Sequence, residues 1–389
     1  MMTAIAILLM LFTTVATALS VLAVYGVTHR RKRALAPDAA AVPVSVLKPL
    51  CGADDALEAN LETFFRQSWP HYELVFGVEG ETDPAIAVVR RLRERFPNVR
   101  ARLVIHDGKR ALNPKVSNLR AMLEAGTHDV VVVSDSNVAV EADYLRLMLG
   151  QLLGDPSVGL VSNLFAGVGE RSLGATLENL HLNGPVAGSV AITGDTGDQA
   201  VSVGKSMMFR RSVFETLGGL EAVGSLLAED FVMGRMFTQA GYKVRLCGGV
   251  IRNVCADTSV RRFLHRHLRW GLIRSRVTPA LYPFEPLFSP MAVALLVPLL
   301  GVTGIGPLVW GVTLTLLRDA LQWTRLRGPD GLLTALPLGP LKELLILPVW
   351  AAAPFLRTVS WRGRSYRVST GTRLYARTPQ GRPHQLRQE

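Results

Sequence analysis

The sequence predicts an α/β domain with a largely parallel sheet, set between an N-terminal transmembrane helix and a group of C-terminal membrane helices. Three observations carry that expectation. Short apolar strands alternate with amphipathic helices between residues 34 and 276, the pattern of a parallel sheet with helices on both faces. Residues 1–28 contain no charged side chain and run directly into His29-Arg-Arg-Lys-Arg33, enough apolar length to cross a hydrocarbon core of about 30 Å. Over all 389 residues, 49% are hydrophobic and 19% are charged, against about 25% charged in soluble domains, which argues against disorder and against a wholly soluble fold.

The first apolar run followed by a basic stop places residue 34 onward in the cytoplasm by the positive-inside rule. A signal peptide fits poorly, because the run is too long, the basic cluster follows it, and no A-x-A site precedes a polar start. Val44–Leu47 then reads as a strand ending at Lys48-Pro49, and Leu57, Leu61, Phe64 and Phe65 recur at helical spacing within 57–67. The alternation continues with strands at 73–78, 101–106 and 130–134 and helices at 84–95, 116–124 and 142–153. Beyond residue 276, the uncharged stretches Pro286–Leu317 and Leu332–Leu341, the latter continuing past Lys342-Glu343 to Leu356, are the membrane candidates. Gly301-Val-Thr-Gly-Ile-Gly-Pro307 interrupts the first, so one tilted span and two short helices are both open. The basic stretches 318–327 and 357–389 both ask for the cytoplasmic side, which favours hairpins or re-entrant pairs. Lys342 and Glu343 fit either a functional intramembrane pair or, more simply, a mutually neutralised pair facing the bundle. The resulting division is an anchor with its basic stop (1–33), a cytoplasmic domain (34–276), membrane helices (277–356) and a basic tail (357–389).

The net charge is +12, and the tail from Arg357 onward holds eight Arg and one acid. Beside apolar segments, this suits an anionic membrane surface, and no basic module with interleaved aromatics points to nucleic acid. Cys51, Cys247 and Cys255 form no C-x-x-C, so neither a disulfide framework nor a structural zinc site is indicated.

Ligands of open α/β sheets sit beyond the carboxyl ends of the strands, which selects Lys48, Glu79 to Asp83, Asp107 and Asp135 to Asn137. Four consecutive valines, Val130 to Val133, lead to Ser134-Asp135. A carboxylate at such a tip, with an amide oxygen two residues on, suits a divalent cation bridging a diphosphate. A plain Ser/Asp/Asn turn gives the same local pattern. Asp83-Pro84 equally fits a helix start, Glu229-Asp230 fits acids in a first helical turn, and Arg266-His-Leu-Arg269-Trp270 fits a snorkelling interfacial belt. Gly204-Lys205-Ser206 looks like the end of a phosphate loop, but Gln199 stands where that loop needs glycine, which removes an ATPase reading.

Taken in order, these pieces resemble the ceramide glucosyltransferase family over nearly the whole chain. The resemblance rests on Lys48-Pro-Leu50, Leu61 to Phe65, Asp83-Pro-Ala-Ile86, Asn113-Pro-Lys-Val-Ser-Asn-Leu119, Asp135, Ala228-Glu-Asp230, the [Gln/Arg]-x-x-Arg-Trp signature at Arg266 to Trp270, and Ser360 to Arg367. It implies a GT-A type nucleotide-sugar domain, a UDP-sugar donor, a membrane-lipid acceptor and inverting transfer. By the same resemblance, Asp230 is the expected base, with Arg269, Arg266 and Trp270 in the catalytic signature. Lys48, Asp83, Asp135, Lys115 and Asn118 are expected at the nucleotide sugar, and Asp135 is expected to hold Mg²⁺ or Mn²⁺. The composition suggests a bacterial member in the inner membrane, multi-pass, with its catalytic domain cytoplasmic. Bacterial relatives include enzymes that add N-acetylglucosamine to the hopanoid bacteriohopanetetrol, the acceptor toward which the reading leans. Ceramide with UDP-glucose is the alternative, although Cys51 and Asn137 depart from the animal ceramide enzymes. A processive polysaccharide synthase shares the Asp, Asp, Arg-Trp logic, and a non-catalytic lipid-binding or transport protein remains if the acids are only caps.

Overall fold

A computed structural model of the chain describes residues 1–29, 42–53, 56–194, 202–361 and 364–376. Its main sheet has eight strands: β1 Val44–Pro49, β2 Tyr72–Glu79, β3 Ala101–His106, β4 Val130–Ser134, β5 Val138–Ala139, β6 Val158–Val168, β7 Ser206–Arg210 and β8 Lys243–Val254. They lie in the order β3-β2-β1-β4-β7-β6-β8-β5. The four expected strands form the parallel half, β3-β2-β1-β4. In the other half, β7 runs antiparallel to both β4 and β6, β8 is parallel to β6, and β5 closes the edge antiparallel to β8.

The period-two alternation of side chains explains how the sheet is covered. Val130 and Val132 of β4 join Val44, Val46 and Phe76 in one apolar layer with the helices Leu57–Phe65, Ala85–Arg95 and Tyr144–Leu153. Val131 and Val133 face the other way, joining Leu47, Val75 and Met207 against the helices Pro114–Ala125 and Glu229–Gln239. A strand buried on both faces has no polar side, which is why β4 reads as an unbroken apolar run. Each fully buried Val, Leu or Phe contributes about 1.5–3 kcal/mol, so the two layers fix the register that carries Lys48 and Asp135 to the same end of the sheet.

The helix Met2–His29 is long and apolar enough to cross a membrane, and Leu8, Leu11, Phe12, Val15, Leu19 and Leu22 stand exposed along it. The interrupted stretch resolves into two helical segments, Pro290–Leu300 and Gly306–Arg327. The turn between them includes Gly301 at φ +88°, left-handed backbone that favours glycine. Leu332–Phe355 also has the length and apolarity of a span, yet both its flanks rest on the α/β domain. On one side, Arg327 donates to the Gly167 carbonyl (2.9 Å) and pairs with Glu170 (2.8 Å). On the other, the chain continues into a three-stranded antiparallel sheet, β9 Thr358–Trp361, β10 Arg364–Val368 and β11 Leu374–Ala376. Tyr366, Val368 and Leu374 of that sheet pack on Leu227 and Leu272. Residues 358–376 were expected as part of a basic tail, and their described portion is instead a folded layer on the α/β domain. The Arg30–Arg33 part of the basic stop and the chain beyond Ala376 lie outside the described residues.

Lys342 and Glu343 are buried and neutralised, though not by each other. Lys342 pairs with Asp319 (2.6 Å), and Arg318 pairs with both Asp319 (2.8 Å) and Glu343 (2.6 Å). Glu343 also accepts from Ser289 Oγ (2.7 Å) and the Met291 N–H (3.1 Å). It thereby satisfies the first turn of Pro290–Leu300, whose free N–H groups and dipole favour an anion.

Candidate active site

Beyond the end of β4 the chain turns through Asp135-Ser136-Asn137, and four other segments converge there. From β1 comes Lys48, fully buried, whose ammonium donates to the Asp135 carbonyl and to Ser134 Oγ (3.3 Å) and lies 3.8 Å from the centre of the Phe64 ring. Burial drives its pKa well below the usual lysine value, with the Asp135 carboxylate opposing. From the helix Pro114–Ala125 comes Lys115. Asn113 caps that helix by accepting from the Lys115 and Val116 N–H groups (2.8 and 3.2 Å), and the first turn then aims the Lys115 ammonium at Asp135 (3.0 Å) and Glu229 (3.1 Å).

The helix Glu229–Gln239 supplies the paired acids. Asp230 Oδ2 accepts from the Gly204 N–H (2.8 Å). A Cβ at 204 would lie 2.7 Å from Asp230 Oδ2 and 2.9 Å from Lys115 Nζ, so a side chain there would displace these two charged groups. The next residue, Lys205, donates to Asp135 Oδ2 (3.2 Å) and Asn137 Oδ1 (3.1 Å). Lys48, Lys115 and Lys205 thus stand among Asp135, Glu229 and Asp230.

Burial pushes the Asp135 carboxyl up, but Lys115 and Lys205 outweigh it and hold the pKa well below the usual carboxylate range. For Lys115, burial works downward, and Asp135, Glu229 and Asp230 more than reverse it. Glu229 is raised, chiefly by burial, with Lys115 opposing and the neighbouring Asp230 charge adding to it. Asp135 remains 26% exposed through its side chain, so one side of the cluster is open.

A cavity of about 350 Å³ lies at the tips of β1 to β3, lined by Leu50, Cys51, Glu79, Asp83, Asp107 and Asn118 among others. Asp83 accepts from the Gly52 N–H (3.1 and 3.0 Å) and the Ala85 N–H (2.8 Å). The helix-start reading is therefore realised, and the same carboxylate also fixes the loop after β1 and faces the cavity. Asn118 donates to the carbonyls of Leu50 (3.3 Å) and Gly77 (2.8 Å), joining the ends of β1 and β2.

The Arg-Trp signature lies on the helix Val260–Val277. Arg266 pairs with the fully buried Glu178 (3.0 Å), which also meets His267 (3.2 Å). Arg266 is thereby committed to holding this helix against Leu173–His181, a role that sequence reading did not give it. Arg269 and Trp270 are half-buried one turn further on, with Trp270 edge-on to His267 at 5.2 Å between ring centres. The structure thus gathers Lys48, Lys115, Asp135 and Asp230 in one cluster and sets Asp83 and Asn118 at the adjoining cavity. Two site residues escaped the sequence reading. Lys205 belongs to the incomplete phosphate-loop pattern, and its signal in the sequence is a lysine at the mouth of a strand. Glu178 gave none, being one acid in an amphipathic helix.

Among the described residues, no group of three or more His, Cys, Asp or Glu is placed to hold a metal ion. Asp135 and Asn137 nevertheless direct one oxygen each onto a single cation, the Lys205 ammonium, and hard oxygen donors of this kind would suit a divalent cation such as Mg²⁺ or Mn²⁺.

An α/β sheet bearing an ammonium–carboxylate cluster at its strand tips, beside a cavity of ligand size, defines with its relatives a glycosyltransferase. The chain belongs to glycosyl transferase family 21, which matches residues 8–374. It is 26% identical to ceramide glucosyltransferase 3 of Caenorhabditis elegans over 90% of this chain and 77% of the relative. Identity to ceramide glucosyltransferase 1 of the same organism is also 26%, over 94% and 80%. Among solved structures, it is similar to a Pyrobaculum calidifontis mannosyltransferase in complex with GDP-Man and Mn²⁺, with TM-score 0.49, 19% identity, and 91% and 99% of the two chains covered.

Proposed function

We propose that the protein is an inverting, membrane-bound GT-A glycosyltransferase that moves a hexose or N-acetylhexosamine from a UDP-sugar to a hydroxyl of a membrane lipid. The observation that carries this reading is the buried cluster of Lys48, Lys115 and Lys205 with Asp135, Glu229 and Asp230, open beside a cavity whose lining includes Asp83 and Asn118. A diphosphate leaving group needs positive charge where it departs, and preorganised charge in a partly desolvated site costs no reorganisation at the moment of reaction.

In this mechanism Lys115 and Lys205 face the diphosphate, and Arg269 donates paired hydrogen bonds to its oxygens. Asp135 and Asn137 would hold a divalent cation in place of the Lys205 ammonium, and that ion would supply Lewis-acid neutralisation of the diphosphate. Asp230 takes the proton of the acceptor hydroxyl as its oxygen bonds to the anomeric carbon. The bond from that carbon to the diphosphate breaks on the opposite face, and the configuration inverts. Glu229, protonated more readily than an ordinary carboxyl, lowers the like charge beside Asp230. Trp270 walls the sugar or the acceptor channel.

We place the α/β domain in the cytoplasm of a bacterial cell, with Met2–His29 as the anchor. Because both flanks of Leu332–Phe355 rest on that domain, this segment is read as re-entrant or surface-lying. Ceramide glucosyltransferase relatives support UDP-glucose and ceramide as one substrate pair. The N-acetylglucosamine and bacteriohopanetetrol pair rests on the expected bacterial membership alone. The test is incorporation of label from UDP-glucose or UDP-N-acetylglucosamine into chloroform-soluble product, with each lipid supplied in vesicles. A labelled glycolipid supports the reading and identifies the pair, whereas filter-retained polymer would make the protein a processive synthase.

A further inference from the structure

The pattern Ser360 to Arg367 has no part in the transfer chemistry described above, yet its strand reaches the donor side of the molecule. Arg364, on β10, lines the cavity of about 350 Å³ and pairs with Glu79 at the tip of β2. We propose that Arg364 is a donor-binding residue that contacts the nucleoside part of the nucleotide sugar, an assignment that rests on this cavity being the nucleotide site.

The charges decide which part of the donor belongs there. Glu79, Asp83 and Asp107 line the cavity, and Arg364 is the one cationic side chain among its described lining residues. Three carboxylates repel a diphosphate, which is drawn instead to Lys115 and Lys205. They match the hydrogen-bond donors of a nucleoside, the ribose hydroxyls and the imino N–H of the base. The base also carries carbonyl oxygens, and these need a donor that carboxylates cannot supply. A guanidinium presents five N–H donors in a planar fork and no acceptor.

The sheet carrying Arg364 is fixed without that residue. Tyr366, Val368 and Leu374 bury against Leu227 and Leu272. Thr372, fully buried, accepts the Leu227 N–H on its carbonyl (2.9 Å) and the Ala228 N–H on Oγ1 (3.4 Å). Leu374 donates to the Ser225 carbonyl (2.7 Å). The Arg364–Glu79 pair is by contrast half-exposed, and exposed ion pairs add little to stability. The apolar face pins the layer, leaving the guanidinium able to exchange Glu79 for a ligand. The same layer braces residues 225–228, immediately before Glu229 and Asp230, so one sheet borders both the nucleoside cavity and the expected base.

The experiment is calorimetric titration of the purified full chain in micelles with uridine and with UDP. The proteins compared are the parent, Arg364→Gln, Arg364→Lys and, on the outward side of the same strand, Arg367→Gln. Loss of about one hydrogen-bonded group corresponds to roughly tenfold in affinity, so Arg364→Gln should weaken uridine and UDP by the same factor. Arg364→Lys should recover only part of the loss, and Arg367→Gln should match the parent. Unchanged affinity of Arg364→Gln for both ligands, with or without a lower melting temperature, would reduce the residue to a surface ion pair and overturn the proposal. A loss confined to UDP would move the guanidinium to the phosphates and overturn the nucleoside assignment. A parent that binds neither ligand would refute the nucleotide-site reading itself, a failure distinct from any effect of the variants.

Discussion

Lys115→Met removes the ammonium that stands between Asp135 (3.0 Å) and Glu229 (3.1 Å) while keeping a side chain of similar length. Breaking a buried ion pair leaves an uncompensated charge and costs about 3–5 kcal/mol. Asp135 retains Lys205 at 3.2 Å, so the loss falls on Glu229, which keeps only the Asn113 amide at 3.3 Å among its described side-chain partners. Glu229 already leans toward its protonated form through burial, and taking a proton relieves part of the penalty, which places the expected cost near the lower end, about 3 kcal/mol at neutral pH. At about 2–4 °C per kcal/mol for a domain of this size, the melting temperature should fall by about 6–12 °C. A carboxyl whose folded-state pKa lies above its unfolded value binds more protons when folded. The deficit should therefore grow as the pH rises above about 4.3 and shrink as it falls toward that value. Lys115→Met combined with Glu229→Gln removes both members of the pair and should regain at least half of the lost stability, a coupling that a double-mutant cycle measures directly. Melting followed by intrinsic fluorescence in micelles is the assay. A single variant within about 2 °C of the parent, or a double variant no better than the single, would refute the cluster as described.

Arg269→Lys should lose most transfer activity while membrane association is kept, because Lys cannot reproduce a bidentate guanidinium contact; Arg262→Lys, on an exposed position of the same helix, should be neutral, and equal activity of the two would return Arg269 to a headgroup role. Asp135, held low by Lys115 and Lys205, contributes stability that is complete above the unfolded value of about 3.9 and is lost as the pH falls through the depressed folded value, so the stability gap between the parent and Asp135→Asn should narrow steadily below about pH 4. Arg318→Met should destabilise by about 3–5 kcal/mol through the stranded Glu343, with Glu343→Gln in the same chain recovering much of it; additive losses would mean that the buried quartet is not coupled.

How far the fold was legible depends on how local each element is. β4 is visible because four valines buried on both faces need no partner to be recognised, and its acid tip follows from the strand's end. β7 was not visible, because its antiparallel place between β4 and β6 is set by tertiary pairing across the chain. Its entry residue Lys205 therefore resembles, in sequence alone, only a fragment of a phosphate loop. In β10, the inward Tyr366 and Val368 alternate with the outward Arg367, a strand signal that the surrounding basic composition hid. Asp83 shows the opposite limit, since a helix start and a cavity-lining group look like alternatives in the sequence and one carboxylate serves both.

Whether the Asp135–Lys115–Asp230 cluster is where a sugar passes to a lipid hydroxyl is decided by Asp230→Asn in reconstituted vesicles. Transfer of labelled sugar and binding of the UDP-sugar would be measured on the same preparation. Transfer should fall by at least about a hundredfold, the lower range of general-base catalysis, while donor binding stays within a few-fold, because only the transition state requires the proton acceptor. An Asp230→Asn protein that still glycosylates lipid at the parent's rate would leave this aspartate as no more than an acid at a helix start.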